Sequence, residues 1–154
     1  MAKRERPVIG WREWIELPDL LDLPIKAKID SGARTSSLHS FGTRPFSERG
    51  APWVEFLVHP IQRQARPEIA CVAPVTDERT VRSSNGVVQR RLVVEATARL
   101  GATLWPIELT LADRDVMGFR MLLGREAIRR RFLIDPGRSY CQSRHAKSRK
   151  TSPA

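Results

Sequence analysis

The sequence is poor in the residues that build disulfide frameworks and metal sites. Its 154 residues include two cysteines, Cys71 and Cys141, and three histidines, His39, His59 and His145. Neither cysteine belongs to a Cys-x-x-Cys or Cys/His arrangement, no HExxH string is present, and no two histidines are three or four residues apart. We therefore expect two reduced thiols and no metal site.

Three further absences limit the class of protein. No window approaches the roughly 18 uninterrupted apolar residues that a membrane helix requires. The basic start, with Lys3, Arg4 and Arg6, leads into Pro7 rather than into an apolar signal segment. A glycine-rich phosphate loop of the form GxxxxGK[S/T] is also missing. The sequence predicts a cytoplasmic protein with no membrane association and no cofactor.

Positive charge is abundant but unevenly distributed. The chain has 27 Lys and Arg against 17 Asp and Glu, a formal charge of +10, and residues 138–154 carry five bases and no acid. Almost no apolar residue follows Tyr140, so that segment cannot offset its ordering entropy. We predict a folded domain over residues 1–140 and a loose basic tail over 141–154. The tail is either a solubilising segment or a contact for a polyanion such as RNA or an acidic protein.

The remaining sequence is dominated by short apolar-rich segments. Within residues 24–30 apolar side chains alternate with Lys26, Lys28 and Asp30, which places these three on one face of a half-buried strand. Other strands are expected at 8–17, 53–58, 69–72, 87–98 and 103–111, with a hairpin turn at Ser84-Asn85-Gly86 and a short helix in 125–131. The pattern predicts a mainly β, single-lobe domain, a closed or folded-over antiparallel barrel with one short helix.

Two local features become informative when they are taken together. Asp30-Ser31-Gly32-Ala33 places an acid on a sharp turn after a buried strand, and Gly32 allows a backbone or ligand to approach closely. About ninety residues later, Leu122-Leu123-Gly124-Arg125 is an apolar strand end that leads into the short helix. Each feature alone is an ordinary turn or strand exit. The pair resembles the retropepsin-like aspartic peptidases.

A longer resemblance covers nearly the whole chain before the tail. Residues 25–39, with 9–14, 82–86, 123–126 and 132–140, are similar to a bacterial retropepsin-like family often labelled ATP-dependent zinc proteases. That family usually has Thr at the position of Ser31. The serine keeps the hydroxyl group but lacks the methyl group and its contact. No residue pattern here supports the zinc or the ATP in that label.

The resemblance implies that Asp30, Ser31 and Gly32 form the catalytic turn of an aspartic peptidase. Because the chain has only one Asp-Ser-Gly sequence, a working site requires an isologous homodimer that pairs two Asp30 carboxylates. Two such carboxylates share one proton and activate a water molecule, so no acyl-enzyme forms.

The substrate is expected to be acidic. The family is thought to act on acidic chains, including oligoglutamate added to a ribosomal protein by a ligase, so a glutamylated protein is the implied partner. Predicted substrate-binding residues around the catalytic turn are Lys28, Arg34, Thr35, Arg82, Asn85 and Arg125. Each of these bases could instead be a solvated charge or a structural partner.

Two alternative functions remain open from the sequence. The first keeps the fold but makes the chain a catalytically silent binding or regulatory module. The second is a small basic β-barrel that binds RNA, which requires exposed aromatic side chains on a basic sheet face. The four tryptophans lie in apolar strand segments and are expected in the core: Trp11, Trp14, Trp53 and Trp105.

Overall fold

The computed structural model describes residues 5–82, 86–113 and 118–143. Within these ranges the chain forms eleven strands and one four-residue helix. In chain order they are β1 Val8–Ile9, β2 Arg12–Ile15, β3 Ile25–Asp30, β4 Ser36–His39, β5 Phe41–Glu48, β6 Ala51–Val58, β7 Ile69–Arg82, β8 Val88–Leu100, β9 Thr103–Ala112, β10 Met121–Gly124, α1 Arg125–Ile128 and β11 Leu133–Ile134. The mainly β character and the one short helix confirm the predicted fold class.

Nine strands form one sheet in the order β2-β3-β10-β4-β9-β8-β7-β6-β5. The expected antiparallel pairing was wrong, and of the closed and folded-over alternatives the closed one is excluded. The sheet is mixed rather than antiparallel, because β10 runs parallel to β3 and β4 runs parallel to β9. It is also not a closed barrel, because β2 and β5 are its two edges in the described residues. Regularly spaced turns indicate local hairpins, whereas β10 enters between β3 and β4 from a distant part of the chain.

Alternation of side chains explains how β3 sits in this sheet. Its odd-numbered apolar residues are buried, while Lys26, Lys28 and Asp30 are half-buried on the opposite face, as predicted. All four residues of β10 are buried, since that strand is central. The core draws side chains from β3, β6, β8, β9 and β10. The largest fully buried side chains include Phe56, Leu109, Met121 and Leu123.

The hairpin predicted near residue 85 joins the two longest strands. Arg82 at the end of β7 lies opposite Val88 at the start of β8, and Gly86 has a left-handed φ of 84°. Asn85, a predicted substrate-binding residue, lies outside the described residues. The helix ends at Ile128, earlier than predicted, because Arg129 is extended and Arg130 has a φ of 69°. No helix in the described ranges is long and apolar enough to cross a membrane.

A buried carboxylate joins the two ends of the domain. Glu13 in β2 is fully buried, and its oxygens accept hydrogen bonds from Gly10 N at 2.7 Å, Cys141 N at 2.7 Å, Gln142 N at 3.2 Å and Ser143 Oγ at 2.6 Å. Charge-assisted bonds of this kind are among the stronger ones in proteins. Residues 141–143, the first three of the predicted tail, therefore bind to the folded domain. Residues 144–154, the rest of the predicted tail, lie outside the described residues.

Candidate active site

Asp30 stands at the last position of β3, where the central strands end together. In register it lies beside Gly124, the last residue of β10. The Asp30 side chain is half-buried, and its Oδ1 accepts a hydrogen bond from Gly32 N at 2.9 Å. Because an Asp side chain can cap its own turn in this way, the carboxylate is held at the tip of the strand. Ser31 and Gly32 are exposed beside it.

Gly124 allows the Asp30 turn to pack directly against β10. A Cβ at residue 124 would come within 2.5 Å of the Thr35 carbonyl carbon and oxygen, closer than any side chain tolerates. The Gly124 N–H donates to Ser36 Oγ at 3.0 Å, and the Arg125 N–H donates to the Ala33 carbonyl at 2.7 Å. The glycine of the Leu-Leu-Gly-Arg sequence is therefore required by the closeness of two backbones.

Arg125 holds the turn from outside. Its Nη1 donates a hydrogen bond to the Ser31 carbonyl oxygen at 3.1 Å. Arg34 is exposed, with its Nε 3.9 Å from Glu126 Oε1, and the Glu126 N–H donates to the Arg34 carbonyl at 3.0 Å. Thus α1 supplies backbone and side-chain donors to residues 31–34, and the guanidinium of Arg125 supports the Asp30 turn.

The predicted substrate-binding residues divide into two groups. Arg34, Thr35 and Arg125 lie with Asp30 at the common end of β3, β10 and β4, and Lys28 lies two residues earlier on the same face of β3. Arg82 is exposed at the end of β7, on the long hairpin. The structure therefore brings four of the six together around Asp30, while Arg82 belongs to a separate element.

Basic residues that the sequence reasoning did not single out line the same face. Arg12 in β2 lies opposite Lys28 in register, and Trp14 lies opposite Lys26. Burial, followed by the positive charges of Arg12 and Arg63, lowers the pKa of Lys26 below that of an ordinary lysine. The alternation of β2 could have revealed Arg12 as outward-facing, but its pairing with β3 could not be read from local sequence.

The histidines have identifiable contacts within the described part of the chain. His39 Nδ1 lies 2.9 Å from Arg120 Nη1, and His59 Nε2 lies 3.1 Å from Glu68 Oε1. His145 is outside the described residues. Across 5–82, 86–113 and 118–143, no group of three or more His, Cys, Asp or Glu side chains is arranged to hold a metal ion.

A single acid on an Asp-Ser-Gly turn, packed against a glycine-ended strand and a short helix, defines a single-lobe retropepsin-like domain. A family profile described as retropepsin-like aspartic endopeptidase RimB matches residues 8–145. The chain belongs to this RimB-like family.

Curated relatives extend well beyond this domain. Proteins named "Probable alpha-L-glutamate ligase" from Shewanella halifaxensis and Desulfotalea psychrophila are 48% identical over 134 residues and 45% identical over 131 residues. These alignments cover 87% and 85% of this chain but only 29% and 28% of the relatives. The chain thus spans less than a third of the curated relatives it matches.

A solved structure shows the same fold. Lpg0085 from Legionella pneumophila, a protein of unknown function, superposes with a TM-score of 0.73 at 24% identity. The match covers 90% of this chain and 100% of the Legionella chain. At this identity, the likeness concerns the fold alone.

Proposed function

We propose that the protein is an aspartic peptidase that works as a homodimer and hydrolyses acidic chains such as oligoglutamate. The observation that carries this proposal is the placement of Asp30. Its carboxylate is fixed at a strand end by Gly32 N, is accessible at the surface of the turn, and is supported from behind by Gly124. The chain supplies one such acid, so a second must come from another copy.

The chemistry follows from pairing two such carboxylates. Because two charges a few ångströms apart repel, the pair holds one proton between them. The ionised carboxylate takes a proton from water as the water oxygen attacks the peptide carbonyl, and the protonated carboxylate donates its proton to the carbonyl oxygen. Proton transfer to the leaving nitrogen then allows the C–N bond to break. The products are a carboxylic acid and an amine, and the carboxylate pair is restored.

Two observations support an acidic substrate. Lys28 shares the outer face of β3 with Asp30, and the exposed Arg34 follows the catalytic turn. Arginine and lysine side chains bind carboxylates through charge-assisted hydrogen bonds. The relatives named glutamate ligase carry a similar domain within a longer chain, which links the family to glutamate-containing products. A glutamylated protein would present such carboxylates on an extended chain.

The direct test compares Asp30→Asn with Asp22→Asn, a matched change at an exposed acid. Purified proteins are incubated with oligoglutamate and with a neutral peptide of equal length, and the new amino ends are counted. We expect hydrolysis of oligoglutamate by the wild type and by Asp22→Asn, and none by Asp30→Asn. Full turnover by a folded Asp30→Asn protein would reject the aspartic-peptidase mechanism.

The preference for acid is tested separately with Arg34→Ala and Arg82→Ala. If both side chains contact substrate carboxylates, each change should slow hydrolysis of oligoglutamate by roughly ten- to a hundredfold, at about 1.5–3 kcal/mol per contact. Hydrolysis of the neutral peptide should fall much less, and added salt should raise the Michaelis constant for oligoglutamate. An equal fall in the rate of hydrolysis of both peptides would show that these arginines do not bind acidic side chains of the substrate.

A binding module without turnover is the second candidate. It is favoured by the relatives themselves, since a similar domain makes up less than a third of proteins named as ligases, where it could present the growing chain. In that case oligoglutamate binds both wild type and Asp30→Asn equally, and neither protein releases new amino ends. Product analysis and a binding isotherm on the same two samples separate the two functions.

A further inference from the structure

Three cationic side chains from separate segments meet on the outer face of β3. Arg12 comes from β2, Lys26 from β3, and Arg63 from the segment between β6 and β7. That segment folds back across the sheet, because Arg120 Nη2, one residue before β10, donates to the Gln64 carbonyl at 3.2 Å. Met121 pairs with Ala27, so residues 63 and 64 lie over the Lys26 end of β3.

Aromatic rings and a hydroxyl fix the Arg12 guanidinium. Its Cζ lies 4.7 Å from the centroid of the Trp11 ring and 5.0 Å from that of Tyr140, and its Nε donates to Ser139 Oγ at 3.1 Å. A cation held between two rings keeps its charge while losing little further freedom on binding. Arg12 is thus oriented before any ligand arrives.

Lys26 lies diagonally across from Arg12, since Arg12 is opposite Lys28 in register and Trp14 is opposite Lys26. The Lys26 Nζ lies 5.7 Å from the centroid of the Trp14 ring, and the like charges of Arg12 and Arg63 act on it. Among the described residues, none of these three cations forms an ion pair with a carboxylate. A cluster of like charges without a nearby acid attracts an anion, because the anion relieves the repulsion among them.

The position of this cluster relative to Asp30 indicates the anion. Lys26 precedes Asp30 by four residues on the same face of one strand, a separation of about 13 Å, which an extended peptide spans with about four residues. An acidic peptide is favoured over RNA, because base stacking needs a free ring face. Trp14 is stacked on Tyr140 at 6.3 Å. Trp11, which was expected in the core, is 37% exposed, and the Arg12 guanidinium lies 4.7 Å from its ring centroid.

We propose that Arg12, Lys26 and Arg63 form a remote subsite that binds a carboxylate of the acidic substrate about four residues from the scissile bond. This inference rests on the proposed function, since it assigns a second contact to the same substrate. A remote subsite makes the affinity of the protein for its substrate depend on the length of the substrate. A chain of three glutamates cannot reach from the Asp30 pair to the subsite, whereas a chain of eight can.

The experiment uses the double variant Lys26→Gln/Arg63→Gln and leaves Arg12 intact, because Arg12 also holds Ser139. The control is Arg49→Gln, an exposed arginine at the opposite end of β6 from the Arg63 segment. We expect the double variant to raise the Michaelis constant for octaglutamate roughly tenfold with kcat unchanged, and to leave triglutamate unaffected. An unchanged constant for octaglutamate, or equal losses on both lengths, would overturn the subsite.

A binding measurement keeps this inference distinct from the peptidase proposal. Labelled octaglutamate is titrated into Asp30→Asn protein with and without the Lys26→Gln/Arg63→Gln changes, and oligouridylate is titrated in parallel. Roughly tenfold weaker binding of octaglutamate alone supports the subsite even if no turnover is ever found. Unchanged octaglutamate binding, or a loss confined to oligouridylate, contradicts it, and the latter outcome would assign the cluster to RNA.

Discussion

The Arg125 guanidinium donates a hydrogen bond to the carbonyl oxygen of Ser31, at 3.1 Å and across 94 residues of chain. This bond connects the start of α1 to the turn that carries Asp30. The adjacent backbone reinforces it, since the Arg125 N–H donates to the Ala33 carbonyl. Two distant segments of sequence therefore fix the conformation of one turn, and Asp30 depends on both.

Replacing Arg125 tests whether it positions the turn or binds substrate. We expect Arg125→Ala to lower kcat at least tenfold with little change in the Michaelis constant, and to cost about 1 kcal/mol of stability, because the Ser31 carbonyl loses its donor. Steady-state kinetics with oligoglutamate check this expectation. A selective rise in the Michaelis constant for acidic substrates would instead make Arg125 a substrate ligand.

Gly124 is predicted to tolerate no side chain. A Cβ at this position meets the Thr35 backbone, which cannot move without displacing the Asp30 turn. Gly124→Ala should therefore destabilise the domain by about 1–3 kcal/mol and abolish the proposed hydrolysis. Gly137→Ala is the matched control, because its Cβ would have only one ordinary contact, with Asp135 at 3.5 Å. Urea unfolding of both variants measures the difference. Equal stability of the two would contradict the close packing described here.

Glu13 is predicted to hold the ends of the domain together. In Glu13→Gln one oxygen becomes an NH₂ group that faces the donors now bound there, so we expect a loss of about 3 kcal/mol. Glu48→Gln, at an exposed strand end, should be neutral. Thermal unfolding of the two proteins provides the comparison, and a Glu13→Gln protein as stable as its control would show that the contacts with residues 141–143 contribute little.

Cys71 is predicted to be unreactive in the folded protein. Burial raises the pKa of the Cys71 thiol to about 11 from its ordinary value of 9.0, so about one molecule in a thousand carries the thiolate at pH 8. As pH rises from about 9 towards 11, the unfolded thiol ionises first, and stability falls. Mass spectrometry after iodoacetamide treatment should show label on the less buried Cys141 before Cys71. Early label on Cys71 would contradict its burial.

Local periodicity accounts for the parts of this site that could be predicted. The alternation that buries Ile29 also places Lys26, Lys28 and Asp30 on one face, and this needs only the period of a strand. The insertion of β10 beside β3 depends on packing between residues about ninety positions apart. Predicting the Arg12 cluster would have required the register of β2 on β3. Predicting the role of Glu13 would have required knowing that its hydrogen-bond donors lie at residues 141–143. No local sequence pattern predicts these long-range pairings.

The central claim, that two chains share one catalytic pair, is tested most directly by mixing wild type with excess Asp30→Asn protein under conditions of subunit exchange. Each mixed dimer would hold one carboxylate and no shared proton. We expect the activity per wild-type chain to fall towards zero as the Asp30→Asn protein is added, while the same excess of Asp22→Asn protein causes no such fall. Constant activity per wild-type chain would show that each chain works alone and would rule out a shared catalytic pair.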